Sequence, residues 1–228
     1  MSDENLAEIR NEKAKKIQHP KGKLTAYERL DLLLDEGSFS EIDQHVASEE
    51  NPEGEAVITG TGTIHGRPVF VFSEDFSVMG GSLGEVVAKK ILKIIDHALE
   101  ARAPIIGIKD SGGARIQEGI SSLFGYAQIF KKNVEASGKV PQISVVVGPS
   151  AGGAVYSPAL TDFIFQVKDI GQLYVTGPAV VKTVTGEDVT FEELGGVEAH
   201  GTKSGVTHQV CETEEQAFEE IRYLMSFL

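Results

Sequence analysis

The sequence predicts an α/β fold in which buried strands alternate with helices. Two apolar runs, residues 104–108 and 143–147, are rich in isoleucine and valine and show no polar alternation. Such runs are typical of strands that are buried on both faces of a parallel sheet. Each run is followed by a glycine-rich turn and then by a segment of helical length. Repeated units of strand, turn and helix in this order indicate an α/β domain.

The remaining elements follow from apolar periodicity, capping patterns and turn residues. Thr25 and Glu28 form a capping-box pattern at a helix start, and Gly37 ends that helix. His65-Gly66 marks the turn of a hairpin, and a glycine-rich turn at residues 73–84 precedes a strongly periodic helix. We predict helices at residues 3–16, 25–37, 85–102, 120–136, 179–184, 188–194 and 213–227, and a further helical stretch that begins after the turn at residues 148–154. We predict strands at residues 56–64, 67–72, 104–108, 143–147, 163–167, 172–175 and 206–210, and a loop at residues 200–205.

Composition and charge restrict the classes of function. The 228 residues carry a formal net charge of −13, which argues against a nucleic-acid partner because such a partner requires a basic face. The single cysteine, Cys211, excludes an intrachain disulfide and a cysteine-based zinc site. The charged N-terminus is unlike a signal peptide, and no apolar run reaches the ~20 residues of a membrane span. We therefore expect a cytoplasmic protein of one large domain or two small ones.

Two interpretations of the matched glycine turns, residues 110–114 and 148–154, stay open. Glycines at strand ends let the backbone approach a ligand, and unpaired amides in two neighbouring turns can hold a developing oxyanion. Alternatively, the glycines only make tight strand-to-helix turns. Arg115 and Glu118, just after the first turn, are interpreted as a local ion pair or as helix-start residues rather than as an acid–base couple. With no obvious acid, base or nucleophile, the predicted cleft suits enolate chemistry in which the reactant brings its own base.

Other kinds of site have weaker support. Residues 148–152 match the G-x-S-x-G elbow of serine hydrolases, with Ser150 as the nucleophile and His200 or His208 downstream as the base. The proline before Ser150 and the glycine pair after it suit an amide-presenting turn at least as well. No two histidines have the helical spacing of metal ligands, so we predict no metal site.

A basic cluster, Lys21, Lys23 and Arg29, stands out in an acidic chain. It is interpreted either as ordinary solvated charge or as a contact for an anionic ligand such as a phosphate.

Several ungapped motifs occur along the chain: residues 19–25 (HPKGKLT), 28–29 (ER), 32–39 (LLLDEGSF), 110–119 (DSGGARIQEG), 148–159 (GPSAGGAVYSPA), 176–178 (TGP), 187–189 (EDV) and 193–196 (ELGG). In these motifs the chain resembles the N-terminal half of the carboxyltransferase (beta) subunit of biotin-dependent acyl-CoA carboxylases, above all the propionyl-CoA carboxylases. The resemblance covers the chain from about residue 16 to its end and is specific, because the motifs occur in the right order.

The resemblance implies a ClpP/crotonase-like spiral of repeated ββα units over residues 1–228, with residues 1–37 as an N-terminal helical extension. It implies that backbone amides at Gly152 and Gly153 form the oxyanion hole for the thioester enolate. It further implies transfer of carboxylate between carboxybiotin and the α-carbon of propionyl-CoA or acetyl-CoA. The implied acyl-CoA-binding residues are Ser111, Gly112, Gly113, Ala114, Ala151, Ala154, Tyr156, Lys21, Lys23 and Arg29.

The implied partners are acyl-CoA, a biotin carboxyl carrier protein, a biotin carboxylase subunit and further copies of the chain in a homo-oligomer. Biotin would be carried on the separate carrier protein. Family members also carry a second, similar half that supplies the biotin pocket, so a chain that ends at Leu228 is expected to need that half for activity. Family members often have cysteine at the position of Ser150, which favours a small packing residue there. The reverse reaction of biotin-dependent methylmalonyl-CoA or glutaconyl-CoA decarboxylases, and a non-catalytic CoA-binding or assembly role, stay open.

Overall fold

The computed structural model describes residues 3–228, which form one eight-stranded mixed sheet with helices on both faces. The α-helices are α1 (Asp3–Gln18), α2 (Ala26–Leu33), α3 (Glu85–Ala101), α4 (Ile120–Ala136), α5 (Gly153–Ala159), α6 (Pro178–Thr185), α7 (Phe191–Gly195) and α8 (Glu214–Met225). The strands are β1 (Ser40–Ile42), β2 (Val57–Ile64), β3 (Arg67–Glu74), β4 (Ile105–Ser111), β5 (Gln142–Ala151), β6 (Phe163–Val167), β7 (Gln172–Tyr174) and β8 (Gln209–Cys211).

The strand order is β1-β2-β3-β4-β5-β6-β8, and β7 pairs with the end of β5. The first two pairings are antiparallel and all others are parallel. Parallel strands end at a common edge of the sheet. The segments that follow β4, β5, β6 and β8 therefore all lie at the carboxyl edge. Ligands of such sheets bind at this carboxyl edge.

The predicted alternation of strands and helices is confirmed, with differences at element ends. The helix that Thr25 caps ends at Leu33, because Leu34 has extended backbone angles. Thr190 caps α7, which therefore begins later than predicted. The strand predicted at residues 206–210 is displaced to β8, and the loop predicted at residues 200–205 is a short π-helical turn, Ala199–Ser204.

Two apolar cores cover the faces of the sheet. One contains side chains of α2, α8 and the central strands, and the other contains side chains of α3, α4 and the strands facing them. Leu30 and Leu33 of α2 are 1% and 0% exposed, so the second helix of the predicted N-terminal extension is part of a core. The capping box at its start is confirmed, since the Thr25 hydroxyl accepts from the Glu28 amide at 3.1 Å.

Within the described range, no helix combines the length and the apolar character needed to cross a bilayer.

Candidate functional site

The two glycine turns predicted from the sequence meet at the carboxyl edge of the sheet. The register between β4 and β5 shifts after Lys109, and Ser111 then lies opposite Ser150. Gly113 has a φ of +102°, and a Cβ added there would lie 2.7 Å from the Ala151 carbonyl oxygen. Glycine is therefore required at this point, because the two turns are in direct backbone contact.

A third glycine pair, Gly80-Gly81, lies against the first turn. The Gly112 amide donates to the Gly80 carbonyl at 2.9 Å, and a Cβ at Gly81 would overlap the Asp110 carbonyl. The Leu83 amide donates to the Gly113 carbonyl, and the Leu83 carbonyl accepts from the Arg115 amide. In this parallel bridge the N–H of the residue between them, Ala114, points away from Leu83. The sequence showed this pair as a turn before α3 but did not indicate its place beside the cleft.

The second turn presents a different amide from the one predicted. The Gly152 N–H donates to the Tyr174 carbonyl at 3.1 Å, so this amide is not free for a ligand, and the prediction for it is wrong in that respect. Gly152 instead supplies a backbone conformation, φ +55° and ψ −119°, that other residues rarely adopt. The next two amides, Gly153 and Ala154, begin α5 and have no partner within that helix.

The ring of Tyr126 packs directly beneath Gly153. A Cβ at Gly153 would lie 2.5 Å from the ring carbon Cδ2, which explains why this residue is glycine. Tyr126 is 4% exposed, and its hydroxyl has no hydrogen-bond partner of good geometry. Burial raises the pKa of Tyr126, the Glu74 carboxylate raises it further, and the nearby Ser111 side chain lowers it in part.

The other predicted contact residues of the two turns differ in accessibility. Ala151 and Ala114 are half-buried, whereas the Ala154 side chain is 2% exposed within the core. Only the backbone of Ala154 is therefore available to a ligand. Tyr156 is 46% exposed, and its ring packs edge-on against Phe130 at a centroid distance of 5.8 Å.

Two of the three predicted basic ligands are buried, which corrects the prediction that they contact a phosphate. Arg29 is 0% exposed and donates from Nη1 to the Asp110 carboxylate at 2.9 Å and from Nε to Glu214 at 2.6 Å. Lys23 is 8% exposed, and its Nζ lies 2.6 Å from Asp110 Oδ2. Gln18 completes the shell with a 3.1 Å hydrogen bond to the same carboxylate. These residues therefore bind the carboxylate of Asp110, at the start of the first glycine turn, rather than a ligand phosphate.

Burial and ion pairing act in opposite directions in this network. Burial alone would lower the pKa of Arg29, but the Asp110 and Glu214 carboxylates outweigh it and raise that pKa. For Lys23 burial dominates over the attraction of Asp110 and lowers its pKa. Gly148 allows the network to form, since a side chain there would overlap the Asp110 carboxylate and the Lys23 ammonium.

Lys21 is exposed and remains at the edge of the site. Its Nζ lies 4.9 Å from the centroid of the Phe76 ring, a cation–π distance. Lys21 is thus the member of the predicted basic cluster that is available to an anionic ligand.

The predicted ion pair after the first turn is confirmed. Arg115 Nη1 lies 2.9 Å from the Glu118 carboxylate, and Nη2 lies 2.8 Å from Glu55. Glu55 belongs to a distant loop, so no local pattern could have indicated this second partner.

The structure contradicts a serine hydrolase triad. Ser150 is 0% exposed, and its hydroxyl has no partner. His200 donates from Nε2 to the Leu173 carbonyl at 2.7 Å, and His208 Nδ1 accepts from the Ile164 amide at 3.0 Å. Both histidines therefore serve backbone groups rather than the serine. Among residues 3–228, no group of three His, Cys, Asp or Glu side chains is placed to hold a metal ion.

The chain is similar to known proteins of one family over nearly its whole length. The family model of the carboxyl transferase domain matches residues 17–228. The chain is 58% identical to the carboxyltransferase subunit of propionyl-CoA carboxylase from Haloferax mediterranei, over 92% of this chain and 42% of that subunit. It is 54% identical to subunit alpha of methylmalonyl-CoA decarboxylase from Veillonella parvula, over 99% of this chain and 46% of that one. The chain thus spans less than half the length of these relatives.

Solved structures show the same fold. Transcarboxylase 12S, a hexamer solved with methylmalonyl-coenzyme A bound, superposes with a TM-score of 0.92 at 47% identity, over 99% of this chain and 47% of that chain. The beta subunit of geranyl-CoA carboxylase from P. aeruginosa superposes with a TM-score of 0.83 at 27% identity, over 99% of this chain and 43% of that chain. The predicted crotonase-like α/β fold is confirmed. Because the family model matches nearly all of it, the chain belongs to the carboxyl transferase domain family.

Proposed function

We propose that this chain is the acyl-CoA-binding half of a biotin-dependent carboxyltransferase that acts on propionyl-CoA or acetyl-CoA. The observation that carries the proposal is the backbone contact between the two glycine turns. The contact is so close that a Cβ added to Gly113 would lie 2.7 Å from the Ala151 carbonyl oxygen. This contact brings the amides of Gly153 and Ala154, which have no partner within α5, next to the backbone of the first turn.

In the proposed complex, the thioester oxygen of acyl-CoA accepts hydrogen bonds from the Gly153 and Ala154 amides. These donors stabilise the enolate oxygen that forms when the α-proton leaves, because charge develops there in the transition state. The backbone of Ser111, Gly112, Gly113 and Ala114 lines the opposite side, with Ala151 and Tyr156 beside the second turn. Lys21 contacts a phosphate of the CoA moiety. Biotin, carried on a separate protein, supplies the carboxyl group and the base.

The proposed enzyme needs a companion half. An apolar face beside the first turn is solvent-exposed in this chain, with Ile116 and Ile120 at 89% and 82% and Leu123 and Phe124 at 62% and 63%. Exposed apolar patches of this kind mark protein interfaces. We propose that a C-terminal carboxyltransferase half covers this face. A biotin carrier, a biotin carboxylase subunit, a homo-oligomeric assembly and a cytoplasmic location belong to the same proposal.

The reverse reaction is a second candidate, supported by 54% identity to a methylmalonyl-CoA decarboxylase subunit over 99% of the chain. The geometry serves both directions, since the same enolate lies between the carboxylated and the decarboxylated thioester. A membrane subunit among the co-purified partners would favour the decarboxylase, whereas a biotin carboxylase would favour the carboxylase. A non-catalytic CoA-binding or assembly domain is a third candidate.

The test is calorimetric titration of propionyl-CoA, acetyl-CoA and free CoA into the chain and into Gly153→Ala. We expect both thioesters to bind the wild-type chain, and the variant to lose most of that affinity because the added methyl group overlaps the Tyr126 ring. Gly177→Ala is the matched control, since its added Cβ would make an ordinary 3.8 Å contact with Phe191.

Absence of thioester binding to the folded wild-type chain would overturn the proposal that this half holds the acyl-CoA site. If Gly153→Ala and Gly177→Ala bind the thioesters with equal affinity, the second glycine turn is not part of the acyl-CoA site.

A further inference from the structure

We propose that Tyr126 is a positioning residue of the acyl site, which holds the two glycine turns at their working separation. This inference rests on the function proposed above. Tyr126 lies on α4, its ring contacts Gly153 of the second turn, and its hydroxyl lies near the Ser111 side chain of the first turn.

The ring end is a close packing contact. The ring carbons Cδ2, Cε2 and Cγ would lie 2.5, 2.7 and 2.9 Å from a Cβ at Gly153. The ring therefore supports the Gly153 backbone from below and limits how far its amide can move. Phe130 stacks on Tyr126 at 5.9 Å and contacts Tyr156 at 5.8 Å, so the support continues along α5.

The hydroxyl end is unusual because it is buried without a hydrogen-bond partner of good geometry. The Ser111 side chain is close to it, but the Ser111 hydroxyl accepts from the Gly113 amide at 3.1 Å within its own turn. A buried, unpaired hydroxyl lowers stability, and phenylalanine would fill the same space without that penalty.

We infer that the hydroxyl serves the bound state. When acyl-CoA occupies the cleft, the Ser111 side chain rotates from the Gly113 amide toward the Tyr126 hydroxyl while the backbone of the turn stays in place. The phenol stays protonated, since burial and the Glu74 carboxylate both raise its pKa. Tyr126 then donates to Ser111 and holds the turn around the acyl end of the ligand.

The test compares Tyr126→Phe with Tyr27→Phe in the full chain, with propionyl-CoA and free CoA as ligands. Tyr27 is the control, because its phenol is partly buried but donates to Glu41 at 2.9 Å. We expect Tyr126→Phe to melt at the same temperature as wild type or higher, and Tyr27→Phe to melt lower. We expect the propionyl-CoA dissociation constant of Tyr126→Phe to rise about three- to tenfold, the value of one hydrogen bond, with free CoA nearly unaffected.

A double-mutant cycle with Ser111→Ala tests whether Tyr126 affects propionyl-CoA binding through Ser111. In the Ser111→Ala background, Tyr126→Phe should weaken propionyl-CoA binding no further. If wild type and Tyr126→Phe bind propionyl-CoA equally, the role of Tyr126 is overturned while the proposed function stands. If Tyr126→Phe loses affinity equally for propionyl-CoA and free CoA, or if the loss of affinity parallels a fall in melting temperature, Tyr126 is a packing residue only. If wild type binds neither ligand, the proposed function fails with it.

Discussion

The two glycine turns come from similar sequence patterns but are held in place by different forces. The first turn is held by charge: Asp110 accepts from Lys23, Arg29 and Gln18, which come from the N-terminal segment. The second turn is held by backbone hydrogen bonding and by the Tyr126 ring. The first turn should therefore respond to changes of charge, and the second to changes of side-chain volume.

This difference also gives the N-terminal segment a structural role in the site. Arg29 joins Asp110 at the first turn to Glu214 at the start of α8, so one guanidinium links segments that are 81 and 185 residues away in sequence. The second turn depends more on neighbours that are close in the chain, Tyr126 and Tyr174, although Arg29 Nη2 also donates to the Val147 carbonyl just before this turn at 3.4 Å.

The largest effect is expected from Arg29→Met. Removal of the guanidinium leaves two buried carboxylates without their shared partner, which should lower the free energy of unfolding by about 3–5 kcal/mol. Urea denaturation of the chain measures the loss. Arg102→Met, at an exposed helix end, is the control and should change stability by less than ~0.5 kcal/mol. A loss below ~1 kcal/mol for Arg29→Met would contradict the view that charge holds the first turn.

A smaller effect is expected from volume at the second turn. Gly153→Ala forces the Tyr126 ring or the turn to move, which should lower the unfolding free energy by about 1–3 kcal/mol. The same urea titration of Gly177→Ala gives the baseline for an unstrained glycine-to-alanine change. A variant as stable as that control would show that the ring yields easily and does not fix the turn.

Lys90 offers a second test of buried charge, because its ammonium is buried and donates to the Val57 carbonyl at 3.1 Å. Burial lowers the pKa of Lys90 to about 8 from 10.5, so between these values the unfolded chain binds more protons and wild-type stability rises with pH. Lys90→Met should therefore stabilise the chain at pH 7 by about 1–2 kcal/mol, after allowance for the lost hydrogen bond.

Thermal unfolding of wild type and Lys90→Met at pH 7 and pH 10 measures this effect. The advantage of the variant should shrink at the higher pH, where Lys90 of the wild type is neutral. An advantage that is constant with pH would mean that packing, rather than charge, separates the two chains.

The smallest effect is expected at Ser150. Because its hydroxyl is buried and unpaired, Ser150→Ala should change stability by less than ~0.5 kcal/mol or raise it slightly. A fluorophosphonate probe should label neither chain. Labelling at Ser150 in the wild type would revive the hydrolase interpretation.

The strands and helices were predictable because their signals are local. Uninterrupted apolar runs marked the buried parallel strands, and the capping box at Thr25 and the periodicity of α3 marked helices. Signals were weaker near the C-terminus, where β8 has three residues and its position is set by pairing with β6. Short edge elements depend on such pairing more than on their own composition.

Within the site, the sequence by itself determined where the backbone turns, and the tertiary structure showed why Gly113 and Gly153 must be glycine. The sequence also indicated that Arg115 and Glu118 pair, since they are three residues apart. Only the tertiary structure decided which amides are free: the Gly152 N–H is taken by Tyr174, 22 residues later in the chain. It also decided that Lys23 and Arg29 bind Asp110 rather than a ligand. The physical reason is the same in each case: a hydrogen bond or ion pair depends on distance in space, and between segments far apart in sequence that distance is set by the packing of the sheet and its helices.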